Sequence, residues 1–527
     1  MKTKKQKKKY VFVVGGVMSG VGKGISASSM GKILQHAGYS VSAVKIDPYV
    51  NVDAGTMNPV EHGETFVLSD GYETDQDMGN YERFLDTTLT RDSYMTTGSI
   101  YQHVINKERS LGYKGKTVSV VPHVPLAVID QIKRASKKQN AEITIIEIGG
   151  TVGEYENILF LEAARMMKRE NPDDVAVVLV SYLPIPSTLG EMKSKPTQQA
   201  IRTLQESGVF PDIIIGRSER EMDKPRKEKI AAASMLHSED IISAPDLDSI
   251  YDIPKYFADE GLDSRLLKKL KLKKKSNKQA KLSQLDWQKF VKSSKRQKNT
   301  VNIAIVGKYF NTGDFVLSDA YVSVIEALKY AGYSQKTQVK MTWLPSIDFE
   351  NKTLKLAHLK KYDGILIPGG FGNNGIDGKD MVIGYARKNK IPFLGLCLGM
   401  QRAAVEFAQN VCGLKNAESD ERNIKNSLPV ITTITDQVSK IADGKMGGTM
   451  RLGSYDAVLK QGTLAGKIYG TDTISERHRH RYELNPKYVE VLEKHGMVIS
   501  GYSPDGLLPE IIELDKKLHP FFIAVQF

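Results

Sequence analysis

The stretch YVFVVGGVMSGVGKGISASSMGKILQHAG, residues 10–38, decides the fold of the first half of the chain. Its apolar run YVFVV (10–14) predicts a strand buried on both faces of a parallel sheet. A glycine-rich turn follows. The apolar residues after it have the i, i+3, i+4, i+7 spacing of an amphipathic helix: Met30, Ile33, Leu34 and Ala37. A strand, a loop and a helix in this order place backbone N–H groups and a helix N-terminus where they favour phosphate.

The glycine-rich turn GGVMSGVGKGIS (15–26) has the composition of a phosphate loop without its exact pattern. Counting back from Lys23, Val17 stands where a Walker A sequence has glycine, and Gly24 replaces the serine or threonine after the lysine. The glycines still allow a phosphate group to approach the backbone closely, and Lys23 supplies a positive charge. The missing hydroxyl predicts that carboxylates hold the metal of the nucleotide. A glycine-rich turn that serves only the fold is the alternative.

Two carboxylates are candidates for that metal, which would be Mg²⁺. Glu147, in IIEIGGTVGEYE, stands at the end of an apolar run, where parallel α/β sheets bind their ligands. Asp77 lies in the polar stretch DGYETDQDMGNYERF. The alternatives are a hydrogen-bonded strand-end carboxylate for Glu147 and a solvated loop residue for Asp77.

Apolar runs of strand length recur along the chain and divide it into two α/β halves. In the first half they are VSAVKI (41–46), ITIIEI (143–148), VAVVLV (175–180) and DIIIG (212–216). In the second half they are VNIAIV (301–306), GILIP (364–368), IPFLGL (391–396), VITTI (430–434), EIIEL (510–514) and FFIAVQF (521–527). We predict two doubly wound, mainly parallel-sheet domains, 1–264 and 301–527, joined by a basic linker, 265–300.

The composition, with 41% hydrophobic and 26% charged residues, is that of a globular protein. No apolar run approaches the ~18 residues of a membrane span. Two cysteines can form neither a disulfide framework nor a CxxC metal pair, which favours a reducing cytoplasm.

The net charge of +13 is concentrated in residues 265–300, which hold fourteen Lys and Arg against the single Asp286. The first nine residues add six lysines, so the rest of the chain is mildly acidic. We interpret the basic segment as a solvated tether. Binding to nucleic acid or another polyanion is the alternative, disfavoured because Trp287 and Phe290 are the segment's only aromatic residues.

The second half carries a nucleophile. GLCLGM (395–400) places Cys397 between glycines where an apolar run stops, and such a thiol needs a base, usually a histidine. Cys412 is predicted to be a core residue. His478 and His480, in ERHRHRYE (476–483), alternate with arginines whose charge would repel a cation, so we predict no metal there.

Eight motifs occur in the order found in CTP synthases, and the chain resembles that family from about residue 10 to its last residue. They are GGVMSGVGKGISASS, KIDPYVNVDAGTMNP, EIGGTVGEYE, GEMKSKPTQ, PGGFG, GLCLGMQ, GGTMRLG and ERHRHRYE. The resemblance implies a P-loop-like amidoligase domain and a class I glutamine amidotransferase domain. It implies that UTP, ATP and glutamine give CTP, with GTP as activator, CTP as feedback inhibitor and a homotetramer (a dimer of dimers) that can form filaments.

The resemblance also implies residue roles. The ATP site takes Ser19, Gly20, Val21, Gly22, Lys23, Gly24, Ile25 and Asp77, with Asp77 and Glu147 on Mg²⁺ and Lys45 as a second phosphate-contacting lysine. The UTP site takes Ser19, Lys193, Ser194, Lys195, Pro196, Thr197, Gln198 and Lys229. Inhibitory CTP meets Glu154, Tyr155 and Glu156. Cys397 is the nucleophile, Gly370 and Leu398 offer oxyanion N–H groups, and glutamine lies against Gly370, Leu398, Gly399, Met400, Gln401, Glu421 and Arg481.

The implied chemistry needs these residue types. The oxygen at C4 of UTP is a poor leaving group, so ATP first phosphorylates it and ammonia then displaces phosphate. Lysines and Mg²⁺ neutralise the charge of phosphoryl transfer. Ammonia made from glutamine inside the protein, and passed between the domains, escapes protonation in water.

The base for Cys397 is missing from this sequence. In the family, the histidine and glutamate follow a strand ending in Gln-Phe, as HPE, whereas here the sequence reads HPFFIAVQF and its last residue is Phe527. His519 is expected at the other end of that strand, roughly 20 Å from the thiol. The second domain thus reads as truncated, and whether this end is natural is left open. We expect the 527-residue chain to make CTP from ammonium but not appreciably from glutamine.

Two other functions compete with this interpretation. GMP synthetase, another glutamine-fed ATP enzyme, would need an SGGVDS loop, which the sequence lacks. A regulatory or filament-forming relative that binds nucleotides without turnover is disfavoured by the intact Lys23, Asp77 and Glu147.

Overall fold

The computed structural model describes residues 7–188, 190–308, 318–433 and 450–527. The strands are β1 (Lys9–Gly15), β2 (Val41–Asp47), β3 (Phe66–Val67), β4 (Glu73–Thr74), β5 (Tyr94–Thr96), β6 (Ile143–Ile148), β7 (Val175–Tyr182), β8 (Ile213–Ser218), β9 (Ile241–Pro245), β10 (Asn299–Gly307), β11 (Thr337–Pro345), β12 (Gly364–Ile367), β13 (Phe393–Leu396), β14 (Ala417–Ser419), β15 (Leu428–Thr433), β16 (Arg451–Leu459), β17 (Thr473–His480), β18 (Tyr482–Leu484), β19 (Met497–Tyr502), β20 (Pro509–Leu514) and β21 (Phe522–Val525). The helices are α1 (Lys23–His36), α2 (Pro59–His62), α3 (Asp77–Leu85), α4 (Thr97–Arg109), α5 (Val120–Lys138), α6 (Ile158–Glu170), α7 (Lys195–Glu206), α8 (Lys224–Ser234), α9 (Ile253–Asp259), α10 (Leu262–Lys269), α11 (Lys278–Lys295), α12 (Val322–Ser334), α13 (Ser346–Glu350), α14 (Ile376–Asn389), α15 (Leu398–Asn410), α16 (Leu464–Tyr469) and α17 (Val489–Lys494).

The apolar runs form strands as predicted, and most of them are largely buried in their sheets. The whole of β1 is buried, and so are β6 and β20. The last residue of the predicted strand 430–434, the first three residues of the motif GGTMRLG and residues 1–6 of the basic N-terminus lie outside the described residues.

The first compact unit comprises Met1–Ala54 and Thr74–Lys292. Seven strands within the described residues form its sheet in the order β5-β2-β6-β1-β7-β8-β9, and neighbouring strands pair in parallel. Non-consecutive neighbours require crossover connections, which the helices between the strands supply. This is the α/β, mainly parallel architecture that the sequence predicts.

The basic segment is not a solvated tether over the part that belongs to this unit, so that prediction is wrong there. Helix α11 places the ring of Trp287 5.2 Å from that of buried Phe84 and 5.9 Å from that of Tyr251. The ammonium of Lys275 pairs with Glu142 at 2.5 Å. Trp287 and Phe290 lie three residues apart on one helix face, and the rings of Phe290 and Tyr251 lie 4.9 Å apart, so the two aromatics dock the helix.

The second compact unit comprises Gly55–Glu73 and Ser293–Phe527. Nine described strands form its main sheet in the order β11-β10-β12-β13-β21-β20-β19-β16-β17. The first five are parallel, and β20, β19, β16 and β17 add an antiparallel edge. A smaller sheet has the order β14-β15-β18.

Residues 55–73 are held by the second unit through the backbone. The N–H of Ser454 donates to the carbonyl of Ser69 at 2.9 Å, and Arg479 pairs with Glu73 at 2.8 Å. A Cβ on Gly453 would lie 2.6 Å from the nitrogen of Gly71, so the two backbones touch. The compact units therefore do not coincide with continuous stretches of sequence, and the catalytic domain boundaries at 264 and 301 stay a prediction.

Candidate active sites

The loop between β1 and α1 lies where the strand order of the first sheet reverses. β1 has β6 on one side and β7 on the other, and α/β sheets bind ligands at such a point. Gly22 precedes α1 with φ 85°, and among the described residues no side chain caps this helix. Ser19 and Gly20 are exposed. A Cβ on Gly24 would lie 2.1 Å from the carboxylate of Asp77, so glycine is required there.

Lys23 reaches back over the loop. Its Nζ donates to the carbonyl of Gly150 at 2.8 Å, and a Cβ on Gly15 would lie 2.8 Å from the same nitrogen. Burial lowers the pKa of Lys23, although Glu147 and Asp77 act in the opposite direction. The loop thus presents a buried ammonium beside backbone that only glycine can form.

Lys45 brings the two predicted metal ligands together. In the parallel register, Lys45 of β2 stands opposite Glu147 of β6, and its Nζ donates to Glu147 Oε1 at 2.8 Å and to Asp77 Oδ2 at 2.5 Å. Burial by itself lowers the pKa of Lys45, but the neighbouring carboxylates outweigh it and raise that pKa well above its usual value. Asp77 and Glu147 therefore share one ammonium beside the glycine loop, and Asp77 begins helix α3, so it is not a solvated loop residue.

The cluster holds more carboxyl groups than ammonium groups. Asp47 lies 3.6 Å from Lys45 and accepts a hydrogen bond from Tyr94 at 2.9 Å, and Asp75 accepts one from the N–H of Asp77 at 2.8 Å. Burial raises the pKa of both Asp47 and Asp75. The four carboxyl groups outnumber the ammonium groups of Lys23 and Lys45, and a bound divalent cation would favour the ionised forms of these carboxyl groups.

The donor set suits Mg²⁺ shared with a nucleotide rather than a closed protein site. Within the described ranges, no three His, Cys, Asp or Glu side chains are arranged to hold a metal. Mg²⁺ commonly takes one or two carboxylates together with substrate phosphates and water. Asp77 and Glu147 beside a phosphate loop meet that requirement.

Most of the residues predicted for UTP lie at the start of α7. Ser194 precedes the helix, and Thr197 is fixed by a 2.9 Å hydrogen bond between its hydroxyl and that of Ser181. A Cβ on Gly16 would lie 2.6 Å from the Cβ of Ala200, so α7 packs against the phosphate loop. Lys193, Lys195, Pro196 and Gln198 are exposed or half-buried, and Lys229 is exposed on α8.

The residues predicted for inhibitory CTP form a turn after β6. Glu154 accepts a hydrogen bond from the N–H of Thr151 at 2.9 Å, which shapes the turn. The side chain of Tyr155 is 89% exposed, so a ligand would find it at the surface.

A cavity beside the phosphate loop was missed by the sequence reasoning. Gly22, Arg217, Leu247, Ile250 and Tyr256 are among the residues that line it. Arg217 lies close to Gly22, because a Cβ on Gly22 would be 3.4 Å from Nε of Arg217. The guanidinium of Arg217 also pairs with Asp246 at 2.9 Å. The only sequence signal was an arginine at the end of a predicted strand; the cavity itself depends on how the following loop folds.

Cys397 stands at a sharp strand-to-helix turn in the second unit. Its backbone has φ 50° and ψ −103°, a strained conformation for a residue with a side chain. Its N–H donates to the carbonyl of Val525 at 2.7 Å, since β13 and β21 run in parallel. This is the arrangement of a nucleophile elbow.

The thiol of Cys397 is poorly activated. Burial raises its pKa to about 12, although the N–H of Leu398 acts the other way. The Sγ lies 4.0 Å from the carbonyl of Arg479 and 3.8 Å from Nε2 of Gln526. None of the ten histidines, all of which lie within the described residues, hydrogen-bonds to it.

His519 lies where the sequence predicts it, away from the thiol. It precedes β21 at the end where Phe522 pairs with Phe393, and its Nε2 is 3.3 Å from the carbonyl of Ala386. Cys397 follows the opposite end of the same strand pair.

Several of the residues predicted to bind glutamine lie on or next to the elbow. Gly370 lines a cavity with Cys397. Gln401 donates to the carbonyl of Tyr482 at 2.8 Å, and Glu421 accepts from the N–H of Gly372 at 3.2 Å. Leu398 and Met400 are buried, Gly399 packs tightly on β12, and Arg481 is half-buried.

Lys308 supports the loop that carries Gly370, a role that the sequence analysis did not predict. Its Nζ donates to the carbonyls of Phe371, at 3.2 Å, and Gly372, and so anchors the loop that carries Gly370. Burial lowers its pKa to about 8.

His478 and His480 face the interior as a hydrogen-bonded pair. Nδ1 of His478 lies 2.8 Å from Nε2 of His480, and burial lowers their pKa values to about 2 and about 3. Both rings are therefore neutral near pH 7. Cys412 is half-buried and packs against the core of the second unit, so it lies at the edge of the core and not within it as predicted.

No helix in the described part of the chain is both long enough and apolar enough to span a membrane.

Two family models match: "CTP synthase N-terminus" over residues 9–272 and "Glutamine amidotransferase class-I" over residues 316–527.

The curated relatives include two archaeal CTP synthases. That of Methanococcoides burtonii is 46% identical over 98% of this chain and 94% of the relative, and that of Methanocaldococcus jannaschii is also 46% identical over 98% and 94%. Among solved structures, a Trypanosoma brucei CTPS glutaminase domain with bound acivicin is 35% identical, with a TM-score of 0.38, over 43% of this chain and 85% of that domain. The chain therefore belongs to the CTP synthase family, and it is an enzyme, an ATP-dependent carbon–nitrogen ligase.

Proposed function

We propose that the first unit transfers the γ-phosphoryl group of ATP to the C4 oxygen of UTP. A new O–P bond forms and the bond between the β- and γ-phosphates breaks, which releases ADP. Ammonia then attacks C4, the C4–O bond breaks, and phosphate leaves to give CTP. The observation that supports this most is Lys45, whose Nζ lies 2.5 Å from Asp77 and 2.8 Å from Glu147 beside the glycine loop.

Lys23 and Lys45 are proposed to neutralise the charge of the transferring phosphoryl group. Both are almost fully buried, at 8% and 4% exposure, and charge in a water-poor site acts more strongly than it does in water. Asp77 and Glu147 would hold Mg²⁺, which supplies further charge neutralisation when bound. Lys45 would then interact with both the carboxylates and the nucleotide.

The nucleotides are proposed to lie on either side of this cluster. The cavity lined by Arg217 and Ile250 suits the apolar faces of the ATP base. The turn and N-terminus of α7, with Lys193 and Ser194, would meet the UTP phosphates, because a helix N-terminus favours anions. Inhibitory CTP would meet Glu154, Tyr155 and Glu156.

The second unit is proposed to bind glutamine at Cys397. The thiolate would attack the side-chain amide carbon, with the N–H groups of Gly370 and Leu398 on the developing oxyanion. The C–N bond would then break to release ammonia, and water would hydrolyse the resulting thioester to glutamate and restore the thiol. Gln401, Glu421 and Arg481 would hold the amino acid. The elbow geometry of Cys397 supports this role.

The remaining family properties are proposed by resemblance alone. They are activation by GTP, inhibition by CTP, a homotetramer built as a dimer of dimers, and filaments. A cytoplasmic location is proposed because both cysteines are free thiols.

The test of the proposed function is CTP formation by the full chain from UTP, Mg-ATP and ammonium. We expect CTP and ADP in equal amounts, and no CTP when ATP or UTP is omitted. Nucleotide binding without CTP would identify a non-catalytic relative and overturn the proposal.

A further inference from the structure

A chain of three hydrogen bonds links the two proposed metal ligands and closes into a ring through the backbone of α3. Lys45 donates to Asp77 at 2.5 Å and to Glu147 Oε1 at 2.8 Å. The other carboxylate oxygen of Glu147, Oε2, accepts a short hydrogen bond from the phenol of Tyr81. Tyr81 lies on the same helix, α3, as Asp77, so the ring begins and ends on one element.

The geometry of α3 makes this connection rigid. Asp77 and Tyr81 are four residues apart, which places them one turn apart on the same helix face. Tyr81 is 1% exposed, and the neighbouring helix residues Met78 and Phe84 are fully buried. A phenol fixed by packing cannot follow Glu147 if that carboxylate turns, so it sets the orientation of the carboxylate plane.

We propose that Tyr81 is a positioning residue that holds Glu147 in the orientation required to bind Mg²⁺. The phenol occupies Oε2, which leaves Oε1 directed at Lys45 and Asp77, where the cation would be shared with the nucleotide. This inference rests on the proposed ATP chemistry of the first unit. Tyr81 itself touches neither substrate nor metal in this role.

The alternative is that Tyr81 only fills space in the core. The two roles differ in what Tyr81→Phe would change, because phenylalanine keeps the ring and removes only the hydroxyl. A space-filling role predicts no specific effect on metal. A positioning role predicts a metal-dependent loss, and removal of a group that orients a metal ligand typically costs about 10–100-fold in metal affinity.

The experiment measures binding of a non-hydrolysable ATP analogue to the full chain by calorimetry, once with Mn²⁺ and once with EDTA. The ratio of the two dissociation constants gives the gain in affinity that the metal provides. For Tyr81→Phe we expect this gain to fall about 10-fold, while the metal-free dissociation constant stays the same. Thermal unfolding of each variant shows that it is folded.

Tyr39→Phe is the matched control. Its phenol is also buried and donates to a backbone carbonyl, that of Lys273, at 2.6 Å. The same chemical change there should leave both dissociation constants unaltered.

The double variant Tyr81→Phe with Glu147→Gln shows whether Tyr81 acts through Glu147. We expect it to have the same metal gain as Glu147→Gln alone, because the tyrosine then has no charged ligand to orient. If Tyr81→Phe does not fold, Tyr81→His, which retains a ring N–H donor, replaces it and should keep more of the gain than Tyr81→Leu.

An unchanged metal gain in Tyr81→Phe, an equal loss with and without metal, or additive effects in the double variant would overturn the inference. The proposed function fails separately, if the unaltered chain makes no CTP from UTP, ATP and ammonium.

Discussion

At the scale of single residues, Lys45 is the side chain that brings the two proposed metal ligands of the first unit together. The parallel register places it opposite Glu147, and α3 brings Asp77 to the same ammonium. The sequence predicted Lys23, Asp77 and Glu147 because a strand-end carboxylate and a glycine-flanked lysine are recognisable in one dimension. It could not predict Tyr81 or Arg217, because their roles depend on which side chains a folded helix and loop bring to the site.

We predict that Asp77→Ala or Glu147→Ala lowers CTP formation from ammonium by at least about 100-fold. Either change removes a metal ligand and leaves the charge of Lys45 less well paired. The measurement is CTP formation at saturating UTP and Mg-ATP, with the exposed Glu170→Ala as a control that keeps full activity. Normal turnover in either site variant would contradict the metal assignment.

We predict that Cys397 reacts slowly with iodoacetamide at pH 7 and about tenfold faster for each pH unit up to pH 10. Its pKa is raised to about 12, so the reactive thiolate fraction keeps rising over this whole range. The measurement uses Cys412→Ser, which leaves Cys397 as the only thiol. A plateau below pH 9 would mean that a base or a positive charge activates the thiol.

At the scale of helices and strands, the structure shows which elements sequence patterns are sufficient to predict. Buried parallel strands such as β1 and β6 are continuous apolar runs, so their prediction is confirmed. The edge strand β17 and its neighbour β16 are rich in polar residues, with Ser454, Tyr455 and Asp456 of β16 exposed, and their pattern did not identify them as strands. In the basic segment, the high density of charge led to the prediction of a solvated tether, although Trp287 and Phe290 pack α11 against the first unit.

We predict that Trp287→Ala lowers the free energy of unfolding of the first unit by about 2 kcal/mol, because a half-buried indole leaves the rings of Phe84 and Tyr251. The control is Leu285→Ala, whose side chain is 51% exposed on the same helix and should change stability by less than about 0.5 kcal/mol. Urea unfolding followed by circular dichroism measures both. Equal effects would mean that α11 is not docked through Trp287.

At the scale of the whole molecule, the two units carry two separate chemistries. The family models match both halves, which agrees with an amidoligase and a glutamine amidotransferase. The sequence indicated this from its motifs, but the inclusion of residues 55–73 in the second compact unit follows from long-range backbone contacts that no local pattern reports.

We predict that the 527-residue polypeptide makes CTP from ammonium but only very slowly from glutamine. The thiol has a raised pKa, and none of the ten histidines, which all lie in the described ranges, is hydrogen-bonded to it. A nucleophile that acts without its base is slower by on the order of 10⁴-fold. The measurement is CTP formation with ammonium chloride against glutamine. Comparable rates with glutamine and with ammonium would show that another group acts as the base.

The most direct test of the central claim follows one oxygen atom. UTP labelled with ¹⁸O at C4 is incubated with the full chain, Mg-ATP and ammonium, and the products are analysed by mass spectrometry. We predict one ¹⁸O atom in the inorganic phosphate for each CTP formed, because the C4 oxygen becomes part of the leaving phosphate. If the label appears in water while CTP is formed, UTP is not phosphorylated at C4, and the role assigned to Lys23, Lys45, Asp77 and Glu147 is wrong.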